Sequence, residues 1–116
     1  TDASIIATGV TVSEALKAQE VLKEKGINVR VIDVHTIKPL DKEMIIKCAK
    51  ETKRIITIED HSIIGGLGTA VCEVLSENFP AKVTRIGIND TFGESGKAEE
   101  LMRFYGIDAQ AIVEKF

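Results

Sequence analysis

Apolar residues recur along the chain in two alternating patterns. Short runs rich in β-branched residues occupy residues 4–8, 29–34, 55–58 and 83–88. The segments between them repeat apolar positions three and four residues apart, as on one face of a helix. Strands that alternate with helices are typical of a parallel sheet covered on both faces. The pattern therefore predicts an α/β protein with four parallel strands.

The first predicted helix has signals at both of its ends. Thr11 and Glu14 have the spacing of a capping box, so the helix should begin near Val12. Gly26 tolerates the left-handed conformation that ends many helices, so the helix should stop there. Its core-facing stripe should consist of Val12, Ala15, Leu16 and Leu22.

Caps and turn formers delimit the remaining helices. Asp41 should cap a second helix that ends near Thr52. A third helix should span about residues 67–78, a fourth should span residues 97–105, and Asp108 should cap a short last helix. No internal repeat or linker interrupts these elements, so the 116 residues are expected to form one domain.

Composition argues against several classes of function. The longest apolar runs are far below the ~20 residues that cross a bilayer, so no membrane span is predicted. The chain has 15 basic and 18 acidic residues, and the basic ones are scattered, which argues against nucleic acid as a partner. Cys48 and Cys72 lack metal-ligand spacing and are expected to be reduced thiols of a cytoplasmic protein. Because the sequence opens on Thr1, it is expected to be part of a longer chain.

The segment that follows the third predicted strand is the most unusual. Its apolar run gives way to Glu59-Asp60-His61 and then to glycines at positions 65, 66 and 68. Such a loop before a helix could bind phosphate through backbone N–H groups. The lysine and hydroxyl of a GxxxxGK[ST] loop are absent, however, and Val71 stands where a dinucleotide-binding loop has its third glycine. Tight packing or an interface is the preferred interpretation, and a free-standing nucleotide-binding or anion-binding module is the alternative.

His61 is the candidate catalytic side chain. An imidazole at a strand end can act as a general base or acid, so a small hydrolase that uses His61 is one hypothesis. A nucleophile is hard to find, because Ser62 lacks the GxSxG setting and neither cysteine lies in an evidently electropositive setting. A structural or interface hydrogen bond of His61 is therefore preferred.

Taken together, five segments resemble the C-terminal domain of transketolase. They are Ile5-Ile6-Ala7-Thr8-Gly9, residues 31–41 (VIDVHTIKPLD), residues 58–68 (IEDHSIIGGLG), residues 95–101 (SGKAEEL) and Tyr105-Gly106-Ile107-Asp108. They follow the family's order across essentially the whole chain. Residues 36–41 and 95–97 favour transketolase over deoxyxylulose-phosphate synthase and the β subunits of 2-oxo acid dehydrogenases. The chain is also similar to the C-terminal subunits of split transketolases.

The resemblance implies a cytoplasmic enzyme of the pentose phosphate pathway that moves a two-carbon ketol unit between sugar phosphates, using thiamine diphosphate and Mg²⁺. The diphosphate-binding Gly-Asp-Gly stretch of the family has no counterpart in these residues. Cofactor and metal are therefore expected outside this segment, with no catalytic, cofactor-binding or metal-binding residue within it. The expected partners are the thiamine-binding domains or subunit of the same enzyme. The intact enzyme is expected to be a homodimer, and the isolated domain is expected to be inactive.

The resemblance also implies a fold, a three-layer α/β/α sandwich around a mostly parallel sheet of four or five strands. In the family an antiparallel first strand precedes the residues seen here, which leaves four parallel strands in the order 2-1-3-4. Residues 29–34 would then form an unpaired edge, whose free N–H and C=O groups invite pairing. We therefore expect intermolecular contacts along this edge.

The same strand order predicts the location of a site. Ligands of α/β sheets bind where the connections from two neighbouring strands diverge, and the first and third strands meet this condition. An anion-binding or regulatory crevice is therefore expected at the carboxyl ends of these two strands. Its candidate residues are Thr8, Gly9, Glu59, Asp60, His61, Gly65, Gly66 and Gly68.

Overall fold

A computed structural model describes residues 2–35, 40–52, 54–62, 66–88 and 107–116. The strands are β1 (Ala3–Ala7), β2 (Val29–Asp33), β3 (Ile55–Ser62) and β4 (Val83–Ile88). The helices are α1 (Thr11–Glu24), α2 (Lys42–Glu51), α3 (Leu67–Asn78) and α4 (Ala109–Val113). The predicted helix at residues 97–105 lies outside the described residues. None of the described helices is both long and apolar enough to span a membrane.

The four strands form one parallel sheet in the order β2-β1-β3-β4. β1 pairs with β2 from Ala3 opposite Val29 to Ala7 opposite Asp33. On its other side β1 pairs with β3, ending at Ala7 opposite Ile58. Parallel neighbours need crossover connections, and helices supply them here. The predicted α/β fold and the predicted strand order are confirmed.

Each face of the sheet has its own hydrophobic core, because alternate residues of a strand point to opposite faces. Ile5 of β1 packs with α1 and α4 in a cluster that includes Leu22 and Ile112. Ile6 packs with α2 and α3 in a second cluster that includes Ile45. Burying each such side chain contributes about 1.5–3 kcal/mol. The helices therefore form the two outer layers of an α/β/α sandwich.

The buried stripe of α1 differs from the predicted one. Thr11, Ala15, Ala18 and Leu22 are buried, at spacings of four, three and four residues. Leu16 is 48% exposed, so its prediction as a core residue is wrong. One residue corresponds to a rotation of about 100° around a helix, which turns Leu16 away from the stripe that contains Ala15.

Local capping chemistry sets the start of two helices. Asp41 Oδ1 accepts a hydrogen bond from the N–H of Met44 at 3.1 Å, at the start of α2. Asp108 Oδ1 accepts one from the N–H of Ala111 at 2.9 Å, at the start of α4. Both predicted caps are confirmed, since each side chain satisfies a first-turn donor that lacks a partner in the helix.

The predicted end of α1 is confirmed, but the predicted capping box at its start is not. The helix ends at Glu24, and Gly26 follows with φ of +78°, which confirms the predicted stop. The predicted capping box is wrong, because Val10 is the N-cap and makes no side-chain hydrogen bond. Thr11 is instead the first helical residue, and its hydroxyl contacts other backbone groups.

Strand β3 is longer than its apolar run. The sequence predicted a strand over residues 55–58, but β3 continues to Ser62, with an irregular register against β4 between Ile58 and Ser62. Sheet pairing uses backbone groups, so polar side chains can continue a strand that still has a neighbour. Ile88 of β4 is that neighbour opposite Ser62.

Strand β2 is an edge of the described sheet, as predicted, and pairs with β1 alone. The N–H of Val34, just beyond β2, donates to the carbonyl of Ala7 at 2.8 Å. Successive N–H groups of a strand point to opposite sides, and Val31 lies three residues before Val34. The N–H of Val31 therefore points away from β1. Gln19 Nε2 donates to the carbonyl of Val29 at 3.1 Å, which covers one polar group of the strand. The intermolecular contacts expected here stay a prediction.

Candidate functional site at the carboxyl ends of β1 and β3

The carboxyl ends of β1 and β3 lie side by side. Ala7 pairs with Ile58 in the parallel register, so the residues that follow them, Thr8 and Glu59, are neighbours at this edge of the sheet. Gly9 comes next with φ of +55°, a conformation that glycine adopts without steric cost. The fold therefore brings together Thr8, Gly9 and Glu59 of the predicted site.

Of the other predicted site residues, the structure describes those that belong to β3 or to the start of α3. Asp60 and His61 belong to β3, but their side chains lie outside the described part of the structure, as does Gly65. Gly66 is the N-cap of α3 with an extended backbone, and Gly68 is the second residue of that helix. Catalysis by His61 therefore stays a hypothesis.

Glu59 caps α3 from the neighbouring strand. Glu59 is only 2% exposed, and its Oε1 and Oε2 accept hydrogen bonds from the N–H groups of Leu67 and Gly68, each at 2.8 Å. First-turn N–H groups have no partner within a helix, and a negative charge also interacts favourably with the helix N-terminus. A side chain of the protein therefore occupies the position at which a phosphate would bind α3.

The hydroxyl of Thr11 hydrogen-bonds to backbone groups on the other side of the crevice. Its buried hydroxyl lies 3.0 Å from the carbonyl oxygen of Ile58 and also within hydrogen-bond distance of the carbonyl of Thr8. The same hydroxyl accepts from the N–H of Thr8 at 3.2 Å. Sequence reasoning assigned Thr11 to a capping box and missed this role. The available signal was a polar residue on the buried stripe of α1, since buried polar groups need partners.

Gly68 allows α3 to pack closely on the sheet. A Cβ at this position would lie 2.8 Å from Arg85 Cδ and 3.0 Å from Thr57 Oγ1. The first distance is shorter than real Cβ atoms show, and the second is tighter than nine in ten real Cβ contacts. The contact agrees with the first part of the preferred interpretation of these glycines, which was tight packing or an interface.

The buried side chains of Glu59 and Thr11 at this crevice are already engaged in internal hydrogen bonds. Both carboxylate oxygens of Glu59 and the hydroxyl of Thr11 have partners within the chain. Among the residues that the structure describes, no group of three or more His, Cys, Asp and Glu side chains could hold a metal ion. Cys48 is buried, Cys72 is half-buried, and both are free thiols. The hydrogen bonds of Glu59 join β3 to α3, and those of Thr11 join β3 to the residue that follows β1.

A separate cavity of about 280 Å³ lies beside the edge strand β2. Ile32 and Val34 form part of its lining, and Leu40 faces them from the segment before α2. Asp33 and His35 also line it, with His35 Nε2 3.6 Å from Asp33 Oδ2 and the imidazole 84% exposed. The sequence did not predict this cavity.

Comparison with known proteins identifies the family. The family model described as "Transketolase, C-terminal domain" matches residues 1–112. The chain belongs to the transketolase C-terminal domain family. The resemblance inferred from the motifs is thereby confirmed, and with it the enzyme family to which this domain contributes.

The relatives of this transketolase domain are longer than the chain. It is 54% identical over 115 residues to a protein of Methanocaldococcus jannaschii named as a transketolase C-terminal section, covering 98% of the chain and 35% of that relative. It is 42% identical over 113 residues to 1-deoxy-D-xylulose-5-phosphate synthase of Clostridium tetani, covering 97% and 18%. A solved structure described as "Split gene transketolase, inactive beta4 tetramer" matches with a TM-score of 0.91 at 43% identity, covering 97% of this chain and 37% of that one. The chain thus spans about a third of the archaeal relative and of the solved structure.

Proposed function

We propose that this domain is the assembly part of a thiamine diphosphate-dependent transketolase. It supports the arrangement of the thiamine-binding domains and performs no catalytic step itself. The observation that carries the proposal is the use of both Glu59 oxygens to bind Leu67 and Gly68 of α3. A substrate phosphate at this helix would need those N–H groups, and here they join β3 to α3.

The described donors do not fit the cofactor of the enzyme. Ketol transfer passes through a carbanion, and thiamine diphosphate supplies its stabilisation when bound. A diphosphate with Mg²⁺ calls for free helix N-terminal N–H groups or for carboxylates gathered around the metal. Glu59 already accepts hydrogen bonds from the first N–H groups of α3. Within the described residues, no three side chains of His, Cys, Asp or Glu lie close enough together to hold a metal ion. This donor set supports binding of the cofactor outside the domain.

The partners in this proposal are the thiamine-binding domains, which either precede this domain in one chain or form a separate subunit. The archaeal relative, which is about three times as long as the match, supports such a division. The solved relative is described as a split-gene transketolase and as an inactive "beta4 tetramer". An inactive assembly agrees with an incomplete enzyme. A homodimeric intact enzyme in cytoplasmic pentose phosphate metabolism belongs to the same proposal, and the free thiols of Cys48 and Cys72 suit that compartment.

Synthesis of 1-deoxy-D-xylulose 5-phosphate is a second candidate function for the intact enzyme. Identity to the synthase of Clostridium tetani is 42%, close to the 43% for the split transketolase. Product analysis of the intact enzyme distinguishes the two. Transfer of a ketol unit between two sugar phosphates supports transketolase, whereas formation of the 1-deoxysugar phosphate would overturn that assignment and leave the assembly role in place.

Anion binding at the crevice of Thr8, Gly9 and Glu59 is the alternative to a purely structural role of this crevice. Thermal unfolding in inorganic phosphate or ribose 5-phosphate, against sodium chloride at equal ionic strength, tests it. A ligand that binds only the folded state raises Tm in proportion to the logarithm of its concentration above Kd. We expect no rise specific to these anions, and a saturable rise would restore the crevice as a regulatory site.

Cofactor binding tests the assembly role directly. Isothermal titration of thiamine diphosphate with Mg²⁺ should give no saturable heat with the 116-residue chain alone. The same titration should show binding once the thiamine-binding subunit is present. Saturable binding by the chain alone would contradict the proposal.

A further inference from the structure

We draw no further inference here: the strongest candidate, the apolar cavity of about 280 Å³ between edge strand β2 and the segment leading into α2, is a face for which nothing in the structure shows what covers it, and residues 36–39, which join its two sides, lie outside the described part of the chain.

Discussion

Removing the carboxylate of Glu59 tests the side chain that joins β3 to α3. In Glu59→Ala, the N–H groups of Leu67 and Gly68 each lose an acceptor at 2.8 Å, at a residue that is only 2% exposed. A hydrogen bond to a charged group contributes about 1.5–3 kcal/mol. The two bonds share one carboxylate and are not independent, so we expect the free energy of unfolding to fall by about 3–4 kcal/mol rather than by their full sum.

Glu59→Gln separates the charge of this side chain from its shape. The amide oxygen can still accept one of the two N–H groups, but the amide NH₂ then faces the other one, donor against donor. The variant also loses the attraction between a negative charge and the N-terminus of α3, worth up to about 1–2 kcal/mol. We therefore expect Glu59→Gln to lose about 2 kcal/mol and to lie between the wild type and Glu59→Ala in stability.

Urea unfolding followed by far-ultraviolet circular dichroism measures these differences. Asp41→Ala is the matched control, because it removes a single exposed cap bond, 3.1 Å from the N–H of Met44, and should cost about 1 kcal/mol. Stability should decrease in the order wild type, Asp41→Ala, Glu59→Gln, Glu59→Ala. A Glu59→Ala variant no less stable than Asp41→Ala would mean that the Glu59 carboxylate adds little to the joining of β3 and α3.

The same variant gives a second readout, its response to anions. Without the Glu59 carboxylate, the first N–H groups of α3 are free to bind an anion. Millimolar inorganic phosphate should then raise the Tm of Glu59→Ala above its value in sodium chloride at equal ionic strength, while the wild type responds equally to both salts. An equal phosphate response of wild type and variant would mean that Glu59 does not fill this position.

Three further predictions concern packing and the sheet edge. In Gly68→Ala the new Cβ would lie 2.8 Å from Arg85 Cδ and 3.0 Å from buried Thr57 Oγ1, so urea unfolding should show a net loss of about 1 kcal/mol, even though alanine is the better helix former. Adding Arg85→Ala should recover part of that loss, and no recovery would exclude this contact as its cause. Ser4→Ala removes a buried hydroxyl 2.6 Å from Thr52 Oγ1 and should lower the free energy of unfolding by about 1 kcal/mol, whereas an unchanged value would mean that the bond adds no stability. Val31→Pro removes an N–H that points away from β1, so the circular dichroism spectrum should persist while sedimentation velocity shows weaker self-association, and unchanged self-association would argue against contacts along β2.

Features set by local chemistry could be predicted from the sequence. Asp41 and Asp108 cap helices because an aspartate side chain reaches the N–H three residues ahead within its own segment. Gly26 ends α1 because its backbone adopts a positive φ. The strand order had a different basis, the likeness of whole motifs to a known family, and the sheet confirmed it.

Features that depend on neighbouring elements could not be predicted in the same way. Leu16 is more hydrophobic than Ala15 or Ala18, yet it is exposed, because the orientation of α1 on the sheet decides which side chains are buried. Residues 59–62 carry polar side chains that gave no strand signal. β3 includes them because β4 continues alongside.

The chemistry of the crevice is the least visible from the sequence. Glu59 was a candidate site residue because the predicted strand order places it where the connections from two neighbouring strands diverge, and a ligand-binding role for it stays a prediction. Its role depends on α3 starting beside the end of β3, which brings Leu67 and Gly68 to its two oxygens. Local pattern marks such a residue as interesting, but only the packed fold shows whether its oxygens face a ligand or the protein itself.

We propose that this domain organises an enzyme whose chemistry lies in its partner. Ketol transfer between sugar phosphates, in the presence of thiamine diphosphate and Mg²⁺, should be measured for the chain alone, for the thiamine-binding part alone and for the two combined. We expect turnover only for the combination. Turnover by the 116-residue chain alone, or full activity of the thiamine-binding part without it, would rule out the proposed assembly role.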